Sequence, residues 1–156
     1  RLAWPAALLE RCHRAGLKMP LTFTGVGAAD LLERPLVGLV VGSDYSREML
    51  VKTIDQLEDW KEAGKVVVTG LHTRLEKQVL SSLLRRRSPV VKVLARGMTH
   101  YRPRPNEALA LEQGRMLVIT VLAPGFAFAT NTARSLGQRL ITSLAPELYK
   151  VGLEEE

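Results

Sequence analysis

The feature that most constrains the fold is a short apolar run followed by a glycine turn and an amphipathic stretch. Residues 36–41 have the continuous apolar character of a strand buried on both faces, and Gly42-Ser43 predicts a turn directly after it. From there to about residue 63, apolar side chains recur at helical spacing. In a parallel α/β sheet this turn lies at the carboxyl end of the strand, where a small glycine and the free N–H groups of a helix favour an anion.

The same pattern recurs along the chain. Apolar runs that predict strands alternate with amphipathic stretches that predict helices, and glycine or proline separates them. The alternation predicts one Rossmann-like α/β domain, a doubly wound and mostly parallel sheet flanked by helices, with right-handed crossovers. The later strands are expected at 65–70, 90–95, 116–122 and 147–151, and the later helices at 73–86, 106–113 and 132–144.

The chain is expected to have two parts. Residues 1–34 are predicted to form an N-terminal helix and lead-in that pack on the sheet, and residues 35–156 the Rossmann-like domain. Glycine and proline divide the lead-in into short elements. These are a helix over 4–15, a strand over 21–24 that Gly25 and Gly27 end, and a short helix over 28–33.

Composition narrows the class of protein. A chain of 156 residues with 46% apolar side chains can bury one hydrophobic core. Its apolar runs are much shorter than the ~20 residues of a membrane-spanning helix, so no membrane association is expected. The single cysteine, Cys12, excludes an internal disulfide and fits a cytoplasmic protein. The formal net charge of +6 favours an acidic partner, with nucleic acid first and a nucleotide-like ligand second.

Glycine follows three of the predicted strands, at Gly42, Gly70 and Gly97. If these strands are parallel neighbours, the three turns line one crevice at the carboxyl ends of the strands. Arginine can hold a phosphate there through two parallel hydrogen bonds. For Arg102 and Arg104, an exposed loop without a ligand is the alternative, and the sequence does not separate the two. The other side chains next to these turns are Ser43, Thr69, His72, Arg96, His100 and Tyr101.

No catalytic set of residues is found in the sequence. It lacks a nucleophile elbow, a Walker lysine motif and a complete G-x-G-x-x-G after the first strand. The scattered histidines have no spacing for a metal site. We therefore expect no enzymatic activity, no cofactor and no metal. The carboxylates of the first long helix are spaced as an exposed face, and they are Glu48, Asp55, Glu58 and Asp59.

Aromatic and basic residues outside the glycine turns leave two interpretations open. Tyr101, Phe126 and Phe128 could stack on nucleic-acid bases, and core packing is the alternative, favoured for the phenylalanines. Arg74 and Lys77 on the second long helix are most simply a solvated face.

Four segments resemble motifs of the DNA-processing protein A family (DprA, also called Smf). Residues 31–43 are similar to the family's "lL..P.vaiVGSR", and residues 68–71 to the start of "SGLA.GID..AH". The stretch from residue 93 to Asn106 is similar to "Vl..Gld..YP..N..L". Residues 138–145 are similar to "RNRiIagLs", in which Arg139 matches the second arginine. The matches follow the family's order and extend to residue 151.

The resemblance implies a Rossmann-like fold that binds single-stranded DNA without catalysis. It implies a bacterial protein of DNA uptake, transformation and recombination that loads the recombinase RecA onto incoming DNA and forms a homodimer. It also adds Arg139 to the phosphate-binding residues. The complete predicted set is Gly42, Ser43, Gly70, Arg96, Gly97, Tyr101, Arg102, Arg104 and Arg139.

This sequence departs from the family's motifs at several positions. Asp44 stands where the family has an arginine after Gly-Ser, and Gly137 stands in place of the first arginine of "RNR". Arg74, Glu76 and Leu80 occupy the glycine, aspartate and histidine positions of the second motif. The chain also lacks the family's later "SG...TA..A" segment, so a divergent member, or one part of such a protein, is expected.

Two other functions stay open at the level of sequence. One is a pocket in the same crevice for a small ligand derived from a nucleotide, and the other is a scaffold domain with a degenerate site. The salt dependence of the affinity distinguishes the small-ligand pocket from DNA binding, because binding through several phosphates weakens steeply as the salt concentration rises.

Overall fold

Strands and helices alternate along most of the chain. The computed structural model describes residues 2–3, 6, 10, 13–14, 22–42, 44–71, 73–95, 97–98, 101–120 and 131–152. The strands are β1 (Leu2–Ala3), β2 (Thr22–Gly27), β3 (Leu36–Val41), β4 (Val66–Thr69), β5 (Val90–Val93), β6 (Met116–Thr120) and β7 (Glu147–Val151). The α-helices are α1 (Arg47–Glu62), α2 (Arg74–Arg85), α3 (Pro105–Glu112) and α4 (Asn131–Leu144), and a 3-10 helix spans Ala29–Glu33. The strands and helices predicted from residue 36 onward are confirmed, with bounds that shift by a few residues.

The described strands form one sheet, in the order β1-β2-β6-β5-β4-β3-β7. The strands β3 to β7 are parallel, because β3 pairs with β4 and β7, β4 with β5, and β5 with β6. In contrast, β2 pairs antiparallel with β6, and β1 with β2. The predicted Rossmann-like, mostly parallel α/β sheet is therefore confirmed.

Helices cover both faces of this sheet. The strands β3, β4, β5 and β6 follow one another across the sheet in chain order, and α1, α2 and α3 all pack on one face. The chain then returns through α4 to β7, on the far side of β3, and α4 packs on the opposite face. Alternate strand residues form the two cores, with Val37, Val67 and Val118 facing α1 to α3, and Val40, Val68 and Ile119 facing α4.

The second strand continues through two glycines that the sequence analysis expected to end it. Gly25 pairs with Ile119 and Gly27 with Leu117 of β6. A ladder of backbone hydrogen bonds needs no side chain, so glycine weakens a strand without ending it. The helix predicted over 4–15 lies mostly outside the described residues, of which 6, 10, 13 and 14 are helical. The division of the chain at residue 35 stays a prediction.

The carboxyl ends of β3, β4 and β5 lie side by side at one edge of the sheet, here named the carboxyl edge. These strands are parallel neighbours, as the crevice hypothesis required. Gly42, Gly70 and Gly97 follow them. Because each crossover helix leads back to the opposite edge, α1, α2 and α3 all begin at the carboxyl edge.

Candidate functional site

The glycines of the carboxyl edge differ in how far they are exposed. Gly42 is half-buried, and its N–H donates to the carbonyl oxygen of Val151 at 2.8 Å, which joins the ends of β3 and β7. Gly70 and Gly97 are buried. The buried Thr69 donates its hydroxyl hydrogen to the carbonyl oxygen of Gly70 at 3.0 Å. Four predicted contact residues, Ser43, His72, Arg96 and His100, lie outside the described residues.

Tyr101 lies inside the molecule and not on the rim of the crevice. Its side chain is 8% exposed, and its hydroxyl donates to Oε2 of Glu107 at 2.7 Å. Lys92 Nζ donates to the same carboxylate oxygen at 3.1 Å and lies 5.2 Å from the centre of the Tyr101 ring. Burial raises the pKa of Tyr101, and the hydrogen bond to Glu107 and its negative charge raise that pKa further. The ring is therefore part of a buried network, which favours the packing interpretation of Tyr101 over base stacking.

This buried network fixes the loop that carries the predicted arginine pair. Residues 101–104 end where α3 begins, and Tyr101 fastens them to Glu107 of α3. Arg102 and Arg104 follow directly, and both are exposed at the carboxyl edge. Arg102 Nη1 donates to the carbonyl oxygen of Tyr101 at 3.1 Å. The structure thus places two exposed guanidinium groups on an anchored loop.

Arg139 lies apart from this pair, on the opposite face of the sheet. It is exposed on α4, and with Lys150 it lines a cleft of about 480 Å³ next to Val40 of β3. Hydroxyl groups of Ser135 and Thr142 also line this cleft, which we name the α4 cleft. The structure therefore does not bring Arg139 together with Arg102 and Arg104.

Two arginines at the carboxyl edge were not included in the predicted site. Arg47 and Arg74 are the first residues of α1 and α2, and both are exposed. Ser46 caps α1, and Thr73 caps α2 in a capping box with Glu76, whose Oε1 accepts the Thr73 N–H at 3.0 Å. These caps are visible in the sequence. From these caps, the sequence analysis could have placed both arginines at the carboxyl edge, because helices that follow parallel strands begin at that edge.

A groove of about 1090 Å³ runs between α1 and α2, and we name it the α1–α2 groove. Its lining includes four cations, Arg47, Arg74, Lys77 and Arg85, and one carboxylate, Asp55. The sequence analysis took Arg74 and Lys77 as a plain solvated face. Both are exposed, and the packing of α1 beside α2 makes them one wall of the groove.

Among the residues that the structure describes, no group of three or more histidine, cysteine, aspartate and glutamate side chains is arranged to hold a metal ion. The buried carboxylates of Glu76 and Glu107 both form hydrogen bonds inside the protein. Within the same residues, none of the helices has the length and apolar character needed to cross a membrane.

The comparisons with known proteins give structural relatives only. Neither a protein-family model nor a curated protein sequence matches the chain. DNA processing protein A (DprA) from Streptococcus pneumoniae matches with a TM-score of 0.67 and 22% sequence identity, over 85% of this chain and 46% of that chain. DNA processing protein A from Helicobacter pylori, which has a single-stranded DNA binding mode, matches with a TM-score of 0.66 and 16% identity, over 82% of this chain and 59% of that chain.

These matches show that the chain has a DprA-like fold, as the sequence resemblance implied. The chain spans about half the length of the two solved structures.

Proposed function

We propose that this chain is a non-enzymatic DNA-binding domain that holds single-stranded DNA at its carboxyl edge. The observation that carries the proposal is the pair of exposed arginines, Arg102 and Arg104, on the loop that Tyr101 anchors at this edge. The DprA-like fold supports it, because the H. pylori protein of this fold has a single-stranded DNA binding mode.

The groups at the carboxyl edge suit a chain of phosphates. Guanidinium groups such as those of Arg102 and Arg104 offer parallel N–H donors that match phosphate oxygens. Three helices begin at this edge, and their N-termini carry partial positive charge. Gly42 lets a ligand approach the backbone beside α1, because it has no side chain. None of these groups distinguishes one base from another, so we expect an affinity that depends little on the nucleotide sequence of the DNA.

The sequence resemblance extends the proposal to a role in the cell. We infer that the protein acts in bacterial DNA uptake and recombination in the cytoplasm, where a homodimer delivers bound single strands to RecA. Each of these steps depends on single-strand binding, so binding is the step to test first.

The test is a fluorescence-anisotropy titration of a labelled single-stranded oligonucleotide at several salt concentrations, with duplex DNA as competitor. We expect the Arg102→Ala/Arg104→Ala double variant to bind about tenfold more weakly than the wild type. Each phosphate contact contributes about 0.7 to the salt slope for a single strand, so the slope becomes about 1.4 less steep. The fold should be unaffected, because both side chains are exposed.

The matched control is Arg34→Ala/Lys52→Ala, which removes the same charge from two exposed positions outside this loop. We expect its affinity to stay close to that of the wild type. Equal losses in both double variants would show that only net charge matters, and wild-type affinity in a folded Arg102→Ala/Arg104→Ala protein would remove this loop from the site.

A second candidate function is the binding of a small ligand derived from a nucleotide. The α4 cleft favours it, because about 480 Å³ lies in the range of small-molecule pockets, and its lining includes Arg139, Lys150 and three residues with hydroxyl groups. Titration with mononucleotides distinguishes the candidates. A small ligand that binds through one or two phosphates would show weak salt dependence, and Arg139→Ala would then reduce its affinity.

A further inference from the structure

The α1–α2 groove continues from the carboxyl edge along the outer surface of the three-helix face. Arg47 and Arg74, at the first turns of α1 and α2, lie at the upper end of the groove, and Arg85, the last residue of α2, lies at the lower end. From Arg74 to Arg85 the helix rises about 16 Å, at 1.5 Å per residue. Eleven residues make about three turns, so these two arginines share one side of α2. The groove is thus a channel about three helical turns long that opens at the proposed binding edge.

The groove is positively charged along its whole length. Arg47, Arg74, Lys77 and Arg85 line it, and all four are exposed. None of these four side chains forms an ion pair with a residue that the structure describes. The carboxylate of Asp55 offsets a single charge of the four. Cations held close together without partners attract a polyanion.

The floor of the groove is aliphatic. Leu50 and Ile54 are half-buried, and Val51 is 50% exposed. Tyr45 lies where the groove meets the carboxyl edge, and its hydroxyl accepts the Leu75 N–H at 3.1 Å, which fixes the ring. A single strand presents both charged phosphates and apolar base faces, whereas a duplex stacks its bases inside. An apolar floor between cations therefore matches a single strand better than a duplex.

We propose that the α1–α2 groove binds the continuation of a single strand held at the carboxyl edge, with Lys77 and Arg85 on its phosphates and the aliphatic floor under its bases. The inference rests on the proposed function and deepens it, because it adds a second stretch of binding surface and a reason for preferring single strands. The carboxyl edge holds a few nucleotides, and the groove lengthens the site.

The experiment compares labelled oligothymidylates of about 4 and about 12 nucleotides, lengths at the lower end and in the upper part of the range of single-strand sites. We expect the wild type to bind the longer strand more tightly than the shorter one. The ratio of the two affinities should exceed the ratio that follows from the larger number of binding positions on the longer strand. The Lys77→Ala/Arg85→Ala variant should bind the longer strand about tenfold more weakly, with a salt slope about 1.4 less steep, and the shorter strand as the wild type does. The control is Arg34→Ala/Lys52→Ala, which removes two exposed charges outside both the groove and the α4 cleft and should leave the affinity for both lengths unchanged.

The outcomes separate the two proposals. If neither length binds to the wild type, the proposed function is wrong, and the groove inference falls with it because no strand is held at the carboxyl edge. If both lengths bind and Lys77→Ala/Arg85→Ala retains wild-type affinity for the longer one, the proposed function stands and the groove inference is overturned. Displacement of the longer strand by a polyglutamate peptide as effectively as by an unlabelled strand would identify the groove as a surface for acidic protein segments, and would also overturn it.

Discussion

Three buried residues form a network beneath the candidate site. Lys92 on β5 and Glu107 on α3 form an ion pair in which both side chains are 6% exposed, and Tyr101 shares the carboxylate oxygen. The network therefore connects a central strand, a helix and the loop between them. Arg102 and Arg104 depend on it for their position, because they lie immediately after Tyr101.

Removing the carboxylate of this network should destabilise the whole domain. Glu107→Ala leaves Lys92 buried without its partner, and breaking one side of a buried ion pair costs about 3–5 kcal/mol. Urea denaturation measures the free energy of unfolding. Glu112→Ala, an exposed change on the same helix, is the control and should stay within about 0.5 kcal/mol of the wild type. Equal stabilities of the two variants would contradict the role given to the pair.

A triple variant separates the charge from the packing. Replacing all three polar groups, as Lys92→Met, Tyr101→Phe and Glu107→Met, leaves no unpaired buried group, and such replacements are often neutral. We expect this protein to be more stable than Glu107→Ala. Its affinity for single-stranded DNA is then compared with that of the wild type. A lower affinity would show that the network also positions Arg102 and Arg104, and an unchanged affinity would show that it contributes only to stability.

At the scale of elements, the contact of α4 with β3 depends on a glycine. A Cβ at Gly38 would lie 2.9 Å from Cδ2 of Leu148, and 3.0 Å from Cβ of Ala145 and Cγ2 of Ile141. A methyl group here would press on all three side chains, which would have to shift to admit it. The missing side chain at Gly38 therefore lets α4 lie close against β3.

Gly38→Ala should lower the free energy of unfolding by about 1–3 kcal/mol, because the added methyl group forces packed side chains apart. Gly137→Ala is the matched control. Among the described residues its Cβ would meet only Cγ1 of Val93, at 3.7 Å, and alanine is the better helix former, so we expect a gain of about 0.5–1 kcal/mol. Thermal or urea unfolding of the two variants measures both effects. A Gly38→Ala protein as stable as the wild type would show that α4 packs more loosely than the structure indicates.

Elements with strong local signals were predictable from the sequence. The strands from Leu36 onward are continuous apolar runs, and Ser46, Thr73 and Pro105 mark the starts of helices, so each element was found nearly at its observed bounds. Contacts between distant residues gave no such signal. Tyr101 follows His100 and precedes Arg102 and Pro103 in the sequence. None of these neighbours indicates that its ring is buried against Glu107 and Lys92.

The candidate site could be predicted only in part, for the same reason. The glycine turns and the Arg102–Arg104 loop follow from the strand pattern and are found at one edge. Arg139 was grouped with them, but the chain returns through α4 to the other face, and that turn is a property of the whole topology. The α1–α2 groove was missed because it exists only when two separate helices pack side by side.

At the scale of the whole molecule, the buried tyrosine couples stability to alkaline pH. Burial beside Glu107 raises the pKa of Tyr101 above its ordinary value near 10. Below that value both the folded and the unfolded chain keep the phenolic proton, so the stabilisation is complete. As the pH rises past about 10, the unfolded chain releases the proton and the folded protein retains it, so the free energy of unfolding falls.

We therefore expect urea denaturation between pH 8 and pH 11 to show a loss of stability at the alkaline end. Tyr101→Phe removes the ionisable group and should show a smaller loss over the same range, although it is less stable at pH 8 because Glu107 loses a hydrogen-bond donor. Parallel pH profiles of the two proteins would contradict this linkage.

The position of β7 beside β3 has a consequence for how the protein is made. Val37 pairs with Glu147, so β3 receives its last neighbour from the far end of the described chain. A ribosome releases β3 long before β7, and until then one backbone edge of β3 and its α4-facing side chains are open to other molecules. Pairing between such distant segments is slow and exposes nascent chains to aggregation. The same return of the chain that completes the sheet therefore leaves one edge of β3 unpaired until β7 has been synthesised.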